Sequence, residues 1–187
     1  MSVSTREALL KSAEIQMRSK GYAAFSYADL AAEIGIRKAS IHHHFPTKEN
    51  LGETLITEYI DHFSEKLKSI EKGQADPIER LREFSRLFQA SGNEKLLPLC
   101  GALAAEMAAL PESLQNLGRG LLGKQLDWIE KTIVQATQTH GWKLSRPAKD
   151  YALMLLGTLE GASFIDWALG PSEDPLAGFN HILDTLA

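Results

Sequence analysis

The chain has little that would suit secretion or insertion into a membrane. Its 187 residues include a single cysteine, Cys100, so no intrachain disulfide can form, which is typical of reducing compartments. The first 20 residues carry charges such as Arg6, Glu7 and Lys11, which interrupt any apolar segment of the kind found in signal peptides. The longest weakly polar stretch, residues 96–105, is too short to cross a bilayer. We therefore expect a cytoplasmic protein that has no membrane partner.

The sequence also lacks the short motifs of common enzyme classes. It contains no His-Glu-x-x-His zinc motif, no glycine-rich phosphate loop and no Gly-x-Ser-x-Gly nucleophile elbow. Three consecutive histidines, His42 to His44, could suggest a metal site. On a helix, however, neighbouring side chains point about 100° apart, so adjacent histidines cannot bind one ion from one face. We expect neither an enzyme nor a metal or other cofactor.

The net charge of −4 argues against nucleic-acid binding until its distribution is considered. Residues 1–50 hold seven Lys or Arg and five Asp or Glu, a balance of +2, so the remainder of the chain carries −6. Phosphate attraction acts locally, because salt screens it within about 10 Å. A basic N-terminal segment on an acidic body is therefore compatible with DNA binding by one end of the protein.

Apolar residues recur at helical spacing along the whole chain, and no segment alternates with the period of a strand. The pattern predicts an all-α protein with an N-terminal three-helix helix-turn-helix domain at residues 1–58 and a C-terminal helical dimerisation and ligand domain at residues 59–187. Glycines and prolines place the helices at about 5–20, 27–34, 37–44, 47–70, 77–90, 98–110, 112–139, 147–169 and 175–186.

The second and third helices are short and are joined at Gly35. Neither could bury much surface alone, so they must pack together through apolar residues such as Leu30 and Ile41. The third helix then presents polar groups outward, and side chains of these types contact phosphates and base edges in the major groove. Free backbone N–H groups at helix N-termini also bind phosphates. The resulting candidate DNA contacts are Ser26, Arg37, Lys38, Ser40, His42, His43 and Thr47, whereas His44 is expected to pack inward.

This N-terminal pattern resembles the tetracycline-repressor (TetR) family of bacterial transcription regulators. The resemblance covers about 50 residues: a first helix ending in Gly-Tyr, then Ser26, Asp29-Leu-Ala31, Gly35-Ile36, a Lys-Ala-Ser recognition helix, Phe45-Pro46 and Lys48-Glu49-x-Leu51. It adds Ala39 and Lys48 to the candidate DNA contacts. It also implies a homodimer, most often a repressor, which leaves a two-fold DNA operator when a small molecule binds the C-terminal domain. The family usually has Tyr at the position of His42.

The eighth predicted helix is apolar on nearly all sides, and Gly157 and Gly161 allow another backbone to approach closely. It could be a central core helix, or it could pack on the core with one face and on a second subunit with the other. The resemblance favours the second reading, since family members dimerise through their C-terminal helices. The candidate interface residues are Leu153, Gly157, Glu160, Gly161, Phe164, Phe179, Ile182 and Leu183.

The same resemblance implies an effector pocket among the long helices, for a small molecule that is apolar or reactive. Its candidate residues, which could equally be ordinary core, are Phe63, Phe84, Phe88, Leu99, Cys100, Leu103, Met107, Trp128 and Phe164. The segment around Cys100 resembles a subgroup that senses electrophiles through a cysteine at this point, although most buried cysteines only pack. Glu106 and Glu160 lie on otherwise apolar helices, where each could anchor a ligand or face solvent.

Overall fold

The structure is a computed structural model that describes residues 4–186. These residues form nine α-helices and one short 3-10 helix, and no strand occurs among them. The all-helical prediction is confirmed. The helices are α1 (Thr5–Lys20), α2 (Tyr27–Ile34), α3 (Lys38–His44), α4 (Lys48–Gly73), α5 (Pro77–Asn93), α6 (Leu99–Ala105), α7 (Glu112–His140), α8 (Ala148–Leu169) and α9 (Ala177–Leu186), and the 3-10 helix spans Met107–Ala109.

The main departure from the predicted helices lies between residues 98 and 110. A single helix is expected there from the sequence, but α6 ends at Ala105 and a 3-10 turn follows. The backbone of Glu106 takes φ −108° and ψ 12°, which leaves helical geometry, and the N–H of Ala109 donates to the Glu106 carbonyl at 2.8 Å. Apolar spacing alone cannot reveal such a break, because a 3-10 turn keeps nearly the same pattern.

The residues fall into two compact units. The first comprises the chain up to His62 together with Leu99–Gly120. Its core is mostly aliphatic, and each fully buried Leu, Ile or Met side chain stabilises the fold by about 1.5–3 kcal/mol. The large side chains that are at most 1% exposed in this core are Leu9, Met17, Leu30, Ile41, Leu51, Ile56, Leu99, Leu103 and Leu114.

The second unit comprises Phe63–Pro98 and the chain from Leu121 onward. Helix α8 packs against α5 and α9, and Arg82 on α5 is tied to α9 by an ion pair with Asp184 at 2.8 Å and a hydrogen bond to Asn180 at 3.1 Å. The division between the units lies within α4, as does the predicted boundary after residue 58. Chain order could not indicate that residues 99–120 pack with the N-terminal helices.

Candidate DNA-binding surface and C-terminal domain

The helix-turn-helix is held in place by local hydrogen bonds. Ser26 caps α2 by accepting hydrogen bonds from the N–H groups of Ala28 and Asp29, and the Asp29 carboxylate accepts from the Ser26 N–H at 2.7 Å. The carboxylate also accepts from the Ser26 hydroxyl at 2.7 Å, and these two bonds, from the hydroxyl and from the N–H, lower the pKa of the Asp29 carboxyl because they favour its charged form. Gly35 ends α2 in the left-handed region, at φ 76° and ψ 34°, where a side chain is disfavoured. The predicted capping box and glycine turn are therefore present.

The outer face of α3 is open to solvent. All six predicted contact residues on or beside this helix are exposed, while Ile41 on its inner face is fully buried. The α3 face thus presents two cations, a hydroxyl and two imidazoles together, which are the group types that contact DNA phosphates and base edges. Its members are Arg37, Lys38, Ala39, Ser40, His42 and His43.

The three histidines do not share one environment. The His42 ring meets the Tyr27 ring edge-on at 5.0 Å, and its Nδ1 lies 3.1 Å from the carbonyl oxygen of Pro46, so its orientation is fixed by the protein. The sequence predicts that His44 packs inward, but His44 is exposed, and that expectation is wrong. The inward position at this end of α3 belongs to Phe45, which is only 3% exposed.

Tyr27 fastens the corner between α3 and α4. Its hydroxyl donates to the carbonyl oxygens of Phe45 at 2.9 Å and Thr47 at 2.6 Å. Burial raises the pKa of Tyr27 to about 12, so the phenol stays protonated and remains a donor near neutral pH. The Thr47 hydroxyl accepts from the Asn50 N–H at 3.0 Å and so caps α4. Sequence inspection did not single out Tyr27, because a tyrosine at the start of a helix carries no specific signal.

Lys48 is partly buried and makes several contacts within the protein. Its ammonium donates to the carbonyl oxygens of Tyr22 and Phe25 and lies 4.4 Å and 4.3 Å from the centroids of their rings. Burial lowers the pKa of Lys48, while the negative charges of Glu106 and Asp29 oppose that shift. Within the protein Lys48 therefore fastens the α1–α2 connection to α4, and its predicted contact with DNA stays a prediction.

Glu106, at the end of α6, approaches the same connection. Its carboxylate accepts a hydrogen bond from the Ala23 N–H at 3.3 Å. Gly21 leaves the space for it, since a Cβ atom at that position would lie 2.6 Å from the carboxyl carbon of Glu106. Glu106 is half-buried and bonded to the backbone, so it is not a freely solvated edge; a role as a ligand anchor stays a prediction. The Glu106 cluster, defined as Glu106, Lys48, Gly21, Tyr22 and Ala23, joins α6 to the helix-turn-helix within the first unit.

Comparison with known proteins finds relatives of the helix-turn-helix sequence and solved structures with the same helical fold. The profile described as "Bacterial regulatory proteins, tetR family" matches residues 9–55, which hold most of α1, all of α2 and α3, and the start of α4. A TetR transcriptional regulator from Legionella pneumophila has a TM-score of 0.87 at 28% identity, covering 99% of this chain and 98% of that one. One from Agrobacterium tumefaciens has a TM-score of 0.89 at 28% identity and covers 97% of each chain. The chain belongs to the TetR family.

A curated relative of this TetR-family chain is the HTH-type transcriptional repressor KstR2 from Mycobacterium tuberculosis. It is 33% identical over 88 residues, which cover 47% of this chain and 42% of that repressor. The chain thus matches less than half the length of the curated relative. Membership of a family of regulatory proteins agrees with the expectation that the chain is not an enzyme.

The predicted pocket residues of the TetR-family chain do not form one group. Phe84 stacks on Trp128 at 5.4 Å and also contacts Phe63 and Phe88, and all four are at most 8% exposed, so they form a packed aromatic core in the second unit. Leu99 and Leu103 belong to the core of the first unit. Phe164 is 37% exposed and lies among the exposed apolar residues of α8.

Cys100 and Met107 complete the predicted pocket set. Cys100 is 3% exposed, in the first turn of α6, and Met107 is half-buried beside Gly118. A thiol so well buried is difficult for a reagent to reach, which favours packing over electrophile sensing. The sensing role stays a prediction, which retention of every effector response by Cys100→Ser would contradict.

The second unit contains a groove of about 810 Å³ that sequence reasoning missed. We call it the α5–α8 groove. Of the predicted pocket residues, only Phe88 lines it. The rest of its wall comes from the C-terminal parts of α5 and α8 and from the connections that follow these two helices. Such connections lack periodicity, so no sequence signal places their residues beside a helix terminus. Its lining includes Phe88, Lys95, Leu159, Asp166, Trp167 and Glu173.

Helix α8 has one buried face and one face that is exposed to solvent. Leu155, Leu156 and Leu159 are at most 5% exposed on the buried face, whereas large apolar side chains stand in solvent on the other. By length and composition alone α8 could cross a membrane, and 22% of its most apolar 18-residue stretch is buried inside the protein. The exposed residues of this α8 face are Leu153 (57%), Met154 (46%), Phe164 (37%), Ile165 (59%), Trp167 (44%) and Leu169 (85%).

Some of the predicted interface residues are exposed on α8, and others are buried in the core of the single chain. Leu153, Gly157 and Phe164 are exposed on the α8 face, and Gly161 and Glu160 are half-buried on the same helix. Phe179 and Leu183 on α9 are 0% and 1% exposed within the single chain. They pack in its own core and have no surface to offer a partner, so the expectation for these two is corrected. Ile182 between them is half-buried.

Proposed function

We propose that this chain is a sequence-specific DNA-binding transcription regulator that represses as a homodimer and responds to a small molecule. The observation that carries the proposal is the α3 face, with Arg37, Lys38, Ser40 and two histidines exposed on a helix fixed by capping, the Gly35 turn and Tyr27. Repression rather than activation is supported by the name of the mycobacterial relative, a transcriptional repressor.

Dimerisation is supported by the α8 face. A contiguous surface of large apolar side chains is unusual on a monomeric soluble protein and marks an interaction site. A second copy would cover it with the same residues, because a two-fold interface uses one patch twice. Gly157 and Gly161 carry no side chain on this surface, and a Cβ atom added to either would meet nothing within 4 Å, so two α8 helices can approach closely. Two recognition helices about 34–36 Å apart would then match successive turns of the major groove.

The route from effector to DNA is supported by chain connectivity. Helices α4 and α7 each contribute residues to both compact units, so a ligand that repositions either helix in the second unit also acts on the first. Effector binding weakens DNA binding only if the effector prefers the state that binds DNA poorly. DNA must then weaken effector binding by the same factor.

The proposal is tested by fluorescence anisotropy with DNA from the region beside the chain's own coding sequence. We expect a two-fold site bound in preference to scrambled DNA. Arg37→Ala and Lys38→Ala should each weaken binding, and the slope of log K against log salt should fall by about 1 for each phosphate group that is no longer neutralised. Lys143→Ala, an exposed lysine of the second unit, is the control with the same charge change and should leave the affinity unchanged. Binding without sequence preference would refute the proposal.

A further inference from the structure

We propose that the α5–α8 groove binds amphipathic organic cations, molecules with a rigid apolar body and one positive charge. The inference rests on the proposed function, since the bound cation is taken to be the effector. The groove lies wholly within the second unit, and its volume of about 810 Å³ falls in the range of small-molecule sites, about 300–1,000 Å³.

The apolar half of the ligand is set by the walls. Phe88, Leu159 and Trp167 line the groove together with the aliphatic side chains of Leu96 and Leu176. Phe88 and Leu159 are held by the packed core, at 6% and 1% exposed, so this part of the wall is rigid. Trp167, which also belongs to the α8 face, is 44% exposed in the single chain and contributes an aromatic side chain to the groove lining. Aromatic walls attract both apolar rings and cations, the latter through the negative face of the ring.

The charge of the ligand is set by the polar groups in the lining. Two carboxylates, Asp166 and Glu173, stand against one ammonium, Lys95. Asp166 accepts a hydrogen bond from the Ser172 N–H at 3.2 Å, and in the described part of the chain neither carboxylate forms an ion pair. An added positive charge would therefore be attracted without first breaking an existing pair.

Two helix termini add to the same potential. Gly92 and Asn93 belong to the last turn of α5, Asp166 and Trp167 lie near the end of α8, and all four line the groove together with Gly170, which ends α8. The C-terminus of a helix carries a partial negative charge of about half an elementary charge. Two such termini and a carboxylate excess favour a cation over an anion of the same shape.

The test compares tetraphenylphosphonium with tetraphenylborate, two ions of nearly identical size and shape and opposite charge. Isothermal titration calorimetry on the full chain should show the cation binding at least about tenfold more tightly than the anion at low salt. The double variant Asp166→Asn/Glu173→Gln should remove the preference, and Lys95→Gln should strengthen cation binding. The control Asp127→Asn/Glu130→Gln, on α7 of the same unit, makes the same charge change outside the groove and should leave both affinities unchanged.

Three results would overturn the inference. The first is equal binding of the two ions, and the second is an equal effect of the two double variants, which would indicate unspecific attraction. The third is cation binding only when Ile165→Lys has disrupted the α8 face, which would mean that a second copy fills the groove. Operator binding without any ligand separately tests the proposed function. If it is intact and bound tetraphenylphosphonium leaves the operator affinity unchanged, the effector role of the groove is refuted while DNA recognition stands.

Discussion

Replacing Gly21 by alanine should destabilise the first unit for two reasons, the backbone strain at position 21 and a clash with the Glu106 side chain. Gly21 has φ 90° and ψ 160°, a region that is essentially restricted to glycine, and placing another residue there costs about 1–3 kcal/mol. The new Cβ atom would also lie 2.6 Å from the carboxyl carbon and 2.8 Å from Oε2 of Glu106. The Glu106 side chain can swing away, but it then gives up the Ala23 N–H and its place near Lys48. The absence of this hydrogen bond to a charged group adds about 1.5–3 kcal/mol.

The matched control is Gly35→Ala. Gly35 also has a positive φ, 76°, but a Cβ atom there would meet nothing within 4 Å, so only the backbone cost of about 1–2 kcal/mol applies. We therefore expect Gly21→Ala to lower the free energy of unfolding by about 2 kcal/mol more than Gly35→Ala does. Urea denaturation followed by far-ultraviolet circular dichroism measures both values.

A double-mutant cycle separates the two contributions at Gly21. In a Glu106→Ala background the alanine at position 21 meets no carboxylate, so its cost should fall to the backbone term alone. The coupling between the two sites should equal the contribution of Glu106, about 1.5–3 kcal/mol. Equal costs for Gly21→Ala and Gly35→Ala, or additive effects in the cycle, would refute the claim that Glu106 braces the α1–α2 connection.

Three further perturbations test other parts of the structure. Because hydrogen bonds from Ser26 lower the pKa of Asp29, this carboxylate stabilises α2 fully above about pH 4 and loses its effect as the pH falls through the lowered pKa. Asp29→Asn should therefore flatten the acid limb of stability measured against pH, and an unchanged limb would contradict this. Tyr27→Phe leaves two carbonyl oxygens without their donor and should cost about 1–3 kcal/mol in urea denaturation together with weaker operator binding; a cost below about 0.5 kcal/mol would argue against the bridge. Ile165→Lys should convert the proposed dimer to a folded monomer in light scattering, whereas Val134→Lys, also at an exposed apolar residue, should not. Equal behaviour of the two variants would exclude the α8 face as the interface.

The parts of this protein that could be predicted from sequence are those fixed by neighbouring residues. The capping box at Ser26 and Asp29, the turn at Gly35 and the exposed face of α3 each depend on residues within one or two helical turns. These features depend on side-chain capping, on the freedom of glycine at positive φ and on amphipathic spacing. All three act between nearby residues and can be recognised in the sequence. The same reasoning identifies the bare face of α8 from its composition, since a helix that is apolar on all sides must be covered on more than one.

The errors arise where a residue's role depends on a distant partner. Phe179 and Leu183 have the spacing of an interface helix, but apolar spacing does not distinguish a partner subunit from the chain's own core. The pattern of α3 continues through His44 and so predicts an inward side chain, whereas Phe45 takes that position after the helix has ended. The α5–α8 groove cannot be foreseen because it is formed by the ends of helices and a loop, which meet only in the folded chain.

Lys48 and Glu106 are also residues whose roles depend on partners distant in the sequence. By position, Lys48 reads as a phosphate contact, and Glu106 reads as an isolated charge on an apolar segment, 58 residues further along the chain. In the fold the two charges attract each other at the α1–α2 connection. The ammonium is buried among the carbonyls and rings of the α1–α2 connection, and its pKa is lowered by that burial and supported by the Glu106 charge. Because Glu106 directly follows α6, the contacts that hold the α1–α2 connection in place include one from a segment that chain order assigns to the C-terminal domain. We therefore expect substitutions in α6 to alter the support of the helix-turn-helix without any change in the predicted DNA contacts.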